Sequence, residues 1–138
     1  MSQENADSAR RVVESAYEAM SRRDLDGWLD HATPDFSISE LPDLPDADVY
    51  RGREEARRWA ETTLASLEEW KWTAEEFLFN DGSTVLVRVL LTGRSAAGVP
   101  VEMTVFHVFA MRGDKLGAVR AFLDEAQALE SAELPAES

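Results

Sequence analysis

The chain has 138 residues, 44% hydrophobic and 30% charged, a composition that fits one soluble globular domain (1–138, ordered over roughly 5–132) with a real core. Its 14 basic residues against 27 acidic ones leave a net charge of −13, which argues against nucleic acid or anionic membrane as partners, because phosphate binding needs a basic face. The absence of cysteine excludes a disulfide framework and a thiolate metal site. The polar, acidic start and the lack of any apolar run near ~20 residues leave a cytoplasmic location as the expectation.

From about Asn5 to Arg23, the apolar residues Ala9, Val12, Val13, Ala16, Tyr17 and Met20 recur at helical spacing. They predict a first helix with Asn5 or Asp7 at its start. Asp24 is placed to cap a short second helix with Leu25, Trp28, Leu29 and Ala32 on one face and Pro34 past its end. Phe36 to Glu40 alternates apolar and polar and predicts a strand. Leu41 to Tyr50, with Pro42 and Pro45, reads as a loop over the mouth of the domain. Gly52 leads into a third helix carrying Ala56, Trp59, Ala60, Thr63, Leu64 and Leu67.

From Trp70 the period changes to two, and Glu75-Glu76 interrupts it in the manner of a bulge. A turn at Asn80–Ser83 is followed by a strand from Thr84 to Thr92 with few polar residues, so both of its faces should be covered. After a turn at Gly93–Gly98, Pro100–Asp124 forms a hairpin of two apolar strands whose turn, Arg112-Gly113-Asp114-Lys115, wants a positive φ at the glycine. A short amphipathic helix follows from Asp124. The fold class is therefore α+β, with helices on one side of a mixed, mostly antiparallel sheet.

Asp24-Leu25-Asp26-Gly27, Arg51-Gly52-Arg53-Glu54, Gly113-Asp114-Lys115-Leu116 and Arg120-Ala121-Phe122-Leu123-Asp124, in this order, resemble the nuclear transport factor 2-like superfamily in its SnoaL-like and ketosteroid-isomerase-like branch. The resemblance runs from about Ser8 to Leu129. It implies a cone-shaped α+β barrel, with three helices on a curved sheet and one deep pocket, commonly paired as a homodimer through the sheet. The superfamily includes isomerases, cyclases, epoxide hydrolases, dehydratases and non-catalytic binding domains, so fold alone does not fix function. The ketosteroid isomerase pattern puts its carboxylate base at Glu40. Its two oxyanion donors fall on Ala16 and Phe106, with Tyr17 one residue off, and losing such donors removes a major electrostatic contribution. The limonene epoxide hydrolase pattern keeps Arg88 but has Leu90 and Ala121 in place of its acids. The SnoaL-like cyclases use an acid near the end of the sheet, where Asp124 is the nearest; Asp124 equally suits a helix cap.

These alignments, with strand alternation, put Thr104, Phe106, Val108, Val119, Ala121 and Leu123 on the pocket face of the hairpin. His107 then falls on the outer face, as a structural histidine at the interface, and His31 sits at the end of the second helix. The two histidines give no metal site and no cofactor is implied. Arg88, in a covered strand, needs a partner. Either it pairs with Glu40 or it binds an anionic or carbonyl group, and Glu40 is correspondingly a neutralising acid or a general base. Tyr17, Trp59 and Phe106 belong in the pocket wall, with Tyr50 as a gate. The expected function is the binding of a small apolar or aromatic metabolite. The alternatives are a cofactor-independent cyclase or isomerase with Glu40 or Asp124 as base and Arg88 polarising a carbonyl, or an interaction domain whose cone is filled.

Overall fold

The apolar stripe of the first segment forms helix α1 (Ser2–Ser21), with Ala9, Val13, Ala16, Tyr17 and Met20 buried along one side. The structure is a computed structural model that describes the backbone of residues 2–40 and 49–137 and the side chains of residues 4–39 and 49–132. Because α1 starts ahead of Asn5 and Asp7, these residues lie inside it and do not cap it. The helix stops where Arg23 takes a φ of 62° and the Asp24 N–H donates back to the Ala19 carbonyl at 2.9 Å. Asp24 then caps α2 (Leu25–Leu29), accepting from the Gly27 N–H at 3.0 Å, as its position in the sequence indicates.

Strand β1 (Ala32–Glu40) begins well before Phe36, because Ala32 is already paired with Leu116 and the Leu116 N–H donates to the His31 carbonyl at 2.7 Å. Most of the expected loop, residues 41–48, lies outside the described residues. Its last part is instead a short strand, β2 (Val49–Arg51), in which Tyr50 pairs with Ile38. Helix α3 (Gly52–Ala65) follows, and Leu67 opens β3 (Leu67–Asn80) where helical spacing alone would extend the helix. The chain closes with β4 (Thr84–Ser95), β5 (Pro100–Arg112), β6 (Lys115–Phe122) and α4 (Glu125–Glu137).

The strands form one six-stranded sheet in the order β2-β1-β6-β5-β4-β3. Only β1 and β6 run parallel, so the sheet is mixed and mostly antiparallel, in the α+β class the sequence indicates. It is open, with β2 and β3 at its edges, and does not close into a barrel. Helices α1, α2 and α3 pack on the face carrying Trp70, Val85, Val87, Val89 and Phe109, called the inner face below. Helix α4 packs on the other face, where Ala128 and Ala132 meet Leu86, Phe106, Val108 and Phe122. Both faces of β4 are therefore covered, which accounts for its apolar sequence.

Two bulges set which side chains face inward. One places Glu75 between the pairs Ala74–Val89 and Glu76–Arg88, at the interruption visible in the sequence. The other lies in the last hairpin. From the turn, where Gly113 has the expected positive φ of 62°, Arg112 pairs with Lys115 and Met111 with Leu116; the next pair is Ala110 with Ala118. Gly117 is the extra residue, and a Cβ there would lie 3.0 Å from Arg112 Cγ and 3.1 Å from the Ala110 carbonyl oxygen. Without the bulge Phe106 would face the same way as Ala121. With it, His107 pairs with Ala121 and Phe109 with Val119.

Candidate functional site

That one-residue step exchanges the faces of β5. Met103, Val105, His107 and Phe109 point inward with Val119, Ala121 and Leu123 of the β6 end. Thr104, Phe106 and Val108 point outward, which corrects their assignment to the pocket and His107's assignment to the outer face. Inward residues of β5 and β6, with Phe36 and Ile38 of β1, Trp72 of β3 and Leu91 of β4, form the floor of a cavity of about 300 Å³. Ala16, Tyr17, Met20, Trp28, Trp59 and Thr63 close it from the helices. Two contacts hold α1 against β3 beside it: the Trp70 indole N–H donates to the Met20 carbonyl at 2.9 Å, and the Trp72 N–H donates to Ser21 Oγ at 3.0 Å.

The polar feature of this apolar wall is a contact between α1 and β5. The Tyr17 hydroxyl lies 2.6 Å from His107 Nδ1. Tyr17 is 7% exposed, and a buried phenol needs such a partner. The Tyr17 ring stacks on His107 with centroids 5.8 Å apart, Phe109 meets both rings edge-on, and Trp72 lies 5.5 Å from His107. Enclosure among these rings disfavours charge on either group. Burial lowers the His107 pKa from 6.5 to about 4 and raises that of Tyr17 well above 10.0. Both are neutral at pH 7. The Trp72 indole N–H is buried here without a hydrogen-bond partner among the described residues.

The other residues singled out in the sequence are dispersed. Tyr17, Trp59, Val119 and Ala121 line the cavity. Tyr50 packs against the core from β2 and is not in the cavity wall. Arg88 pairs with Phe106 across β4 and β5 and therefore projects to the outer face, where it meets Glu76 at 2.7 Å and Glu75 at 3.7 Å. Its partners among the described residues come from the β3 bulge. Asp124 is exposed and accepts the Ala126 N–H at 2.7 Å, so it caps α4. Glu40 pairs through its backbone with Ala121; its side chain lies outside the described residues. Among the described residues there is no group of three or more His, Cys, Asp or Glu that could hold a metal ion. Among the described residues no helix is long and apolar enough to cross a membrane.

An open, mostly antiparallel sheet with three helices over an apolar cavity on one face is an α+β architecture suited to holding small molecules. The family model for the SnoaL-like domain matches residues 13–126, and the chain belongs to that family. No curated protein matches it. Among solved structures, an NTF2-like protein of Burkholderia pseudomallei K96243 is 20% identical, with 91% of this chain and 97% of that one covered and a TM-score of 0.73. A protein of Jannaschia sp. CCS1 named as a SnoaL-like polyketide cyclase is 17% identical over 92% of each chain, with a TM-score of 0.74. Rv0760c of Mycobacterium tuberculosis, solved in complex with estradiol-17beta-hemisuccinate, is 18% identical over 85% of this chain and 94% of that one, with a TM-score of 0.74. At these identities the likeness is one of fold.

Proposed function

We propose that this chain binds a small, largely apolar aromatic metabolite in the cavity between the inner face of the sheet and α1, α2 and α3. The observation that carries this reading is the cavity's lining. Trp28, Trp59, Trp72, Phe36 and Phe109 supply flat apolar walls around the Tyr17–His107 side-chain pair. The volume of about 300 Å³ lies at the small end of the range for ligand pockets, roughly 300–1,000 Å³. Open space of this size favours a bound molecule over a cone filled by its own side chains. A relative in the fold, Rv0760c, was crystallised with a steroid derivative, which agrees with this ligand class. Native mass spectrometry of the purified protein tests it: an aromatic adduct released on denaturation supports the reading. A protein that carries no adduct and whose tryptophan emission no aromatic compound quenches saturably opposes it.

The second reading is a cofactor-independent isomerase or cyclase, favoured by the polar pair in the cavity and by the cyclase name of the Jannaschia neighbour. Here Glu40 remains the general base, since Arg88 and Asp124 are engaged elsewhere. Such an enzyme exchanges a carbon-bound proton of its ligand. Deuterium uptake into the bound ligand in D2O, abolished by Glu40→Gln, is the expected result; no uptake in the unmodified protein contradicts it. Pairing of two copies through the outer face of the sheet belongs to the same reading, and a monomer by light scattering at micromolar concentration opposes it.

A further inference from the structure

Resting on the binding reading above, we infer that His107 selects the ligand by presenting its Nε2–H to the cavity as a fixed donor, and that the ligand is an uncharged aromatic compound bearing a carbonyl oxygen. Tyr17 is the positioning residue that fixes this tautomer. The geometry gives the proton positions. One proton lies between the Tyr17 oxygen and His107 Nδ1, 2.6 Å apart. A phenol O–H is a stronger donor than a neutral imidazole N–H, and an imidazole lone pair is a stronger acceptor than a phenol oxygen. Tyr17 therefore donates and Nδ1 accepts. A neutral imidazole carries one N–H, which then sits on Nε2.

The Nε2–H has somewhere to point. His107 makes no other hydrogen bond among the described residues, yet it is not among the buried polar atoms without a partner. The ring lines the cavity, so the free N–H opens into it. The described lining contains no Asp, Glu, Lys or Arg. A carboxylate or ammonium ligand would lose its hydration there without compensation, whereas a carbonyl oxygen replaces the lost water with the His107 donor. The aromatic walls favour flat rings over branched aliphatic chains.

The test compares 9-fluorenone with fluorene, which share a three-ring frame and differ by one carbonyl. The wild-type protein should bind fluorenone about tenfold more tightly, the scale of one hydrogen bond to a donor otherwise left unpaired. In His107→Leu the ratio of the two affinities should fall to about one. In Tyr17→Phe the ratio should fall part of the way toward one. On the wild-type protein, 15N NMR at pH 7 should find Nδ1 as the acceptor and Nε2 protonated, and Tyr17→Phe should shift both toward a tautomer mixture, which a purely structural role for Tyr17 would not do. Protonated Nδ1 in the wild type overturns the inference whether or not either variant folds. Equal affinity for the two compounds overturns it while leaving the binding reading standing, and failure of both compounds to bind overturns both.

Discussion

His107 shows how one side chain couples stability to the site. Its folded pKa of about 4 lies below the ordinary 6.5, because burial disfavours the imidazolium. Between those values the unfolded chain binds a proton that the folded chain does not. The contribution of His107 is therefore full above pH 6.5 and lost as pH falls toward 4. Integrated over the window the loss is at most about 3 kcal/mol, reduced by whatever water the cavity admits. Urea unfolding at pH 7 and pH 5 measures it. The wild type should lose more stability than His107→Leu over that step, and parallel losses would contradict a half-buried neutral imidazole. Tyr17 was recognisable from the sequence as a pocket residue, since i, i+3 and i+4 spacing puts it beside Met20 on the buried side of α1. Its partner was not recognisable, because parity along β5 depends on a distant residue.

That residue, Gly117, belongs to the scale of the element. Strand alternation identified the two faces of β5 and of β6 separately, but joining them required the number of residues between the pairs. The bulge adds one, and the only trace of it in the sequence is a glycine where a Cβ would press on the facing strand. Glu75 was easier to find, because two acids in succession visibly break the period. Its presence also explains Arg88: the bulge turns Glu75 and Glu76 toward the guanidinium, which is satisfied at a partly exposed ion pair on the outer face. Another close approach sets the pairing of β3 with β4. A Cβ on Gly93 would lie 2.3 Å from the Glu69 carbonyl oxygen. Gly93→Ala should cost roughly 1–3 kcal/mol in chemical denaturation through forced separation of the strands. A change near zero would mean that the pairing there is loose.

At the scale of the molecule, the sequence pattern carried the element order and the fold class, because each helix has its own apolar stripe and each strand its own alternation. The short strand β2 was missed: three residues after a proline-bearing stretch give no periodicity to read. The position of α4 was missed for a different reason. The α4 residues packed on the sheet, Ala128 and Ala132, are alanines, whose small faces fit the outer surface over Leu86 and Phe122 but signal no direction in sequence. The net charge of −13 has no counterpart in the described cavity wall, which contains no Asp, Glu, Lys or Arg.

The central claim is that this cavity is the ligand site, and the protein's methionines report on it directly. Of the four, Met20 and Met103 line the cavity, while Met111, on the same strand as Met103, does not. With 13C-labelled methionine methyl groups, titration with 9-fluorenone should move the Met20 and Met103 resonances saturably and together, leaving Met111 in place. Unmoved Met20 and Met103 signals at saturating ligand, or a Met111 shift as large as theirs, would contradict the account.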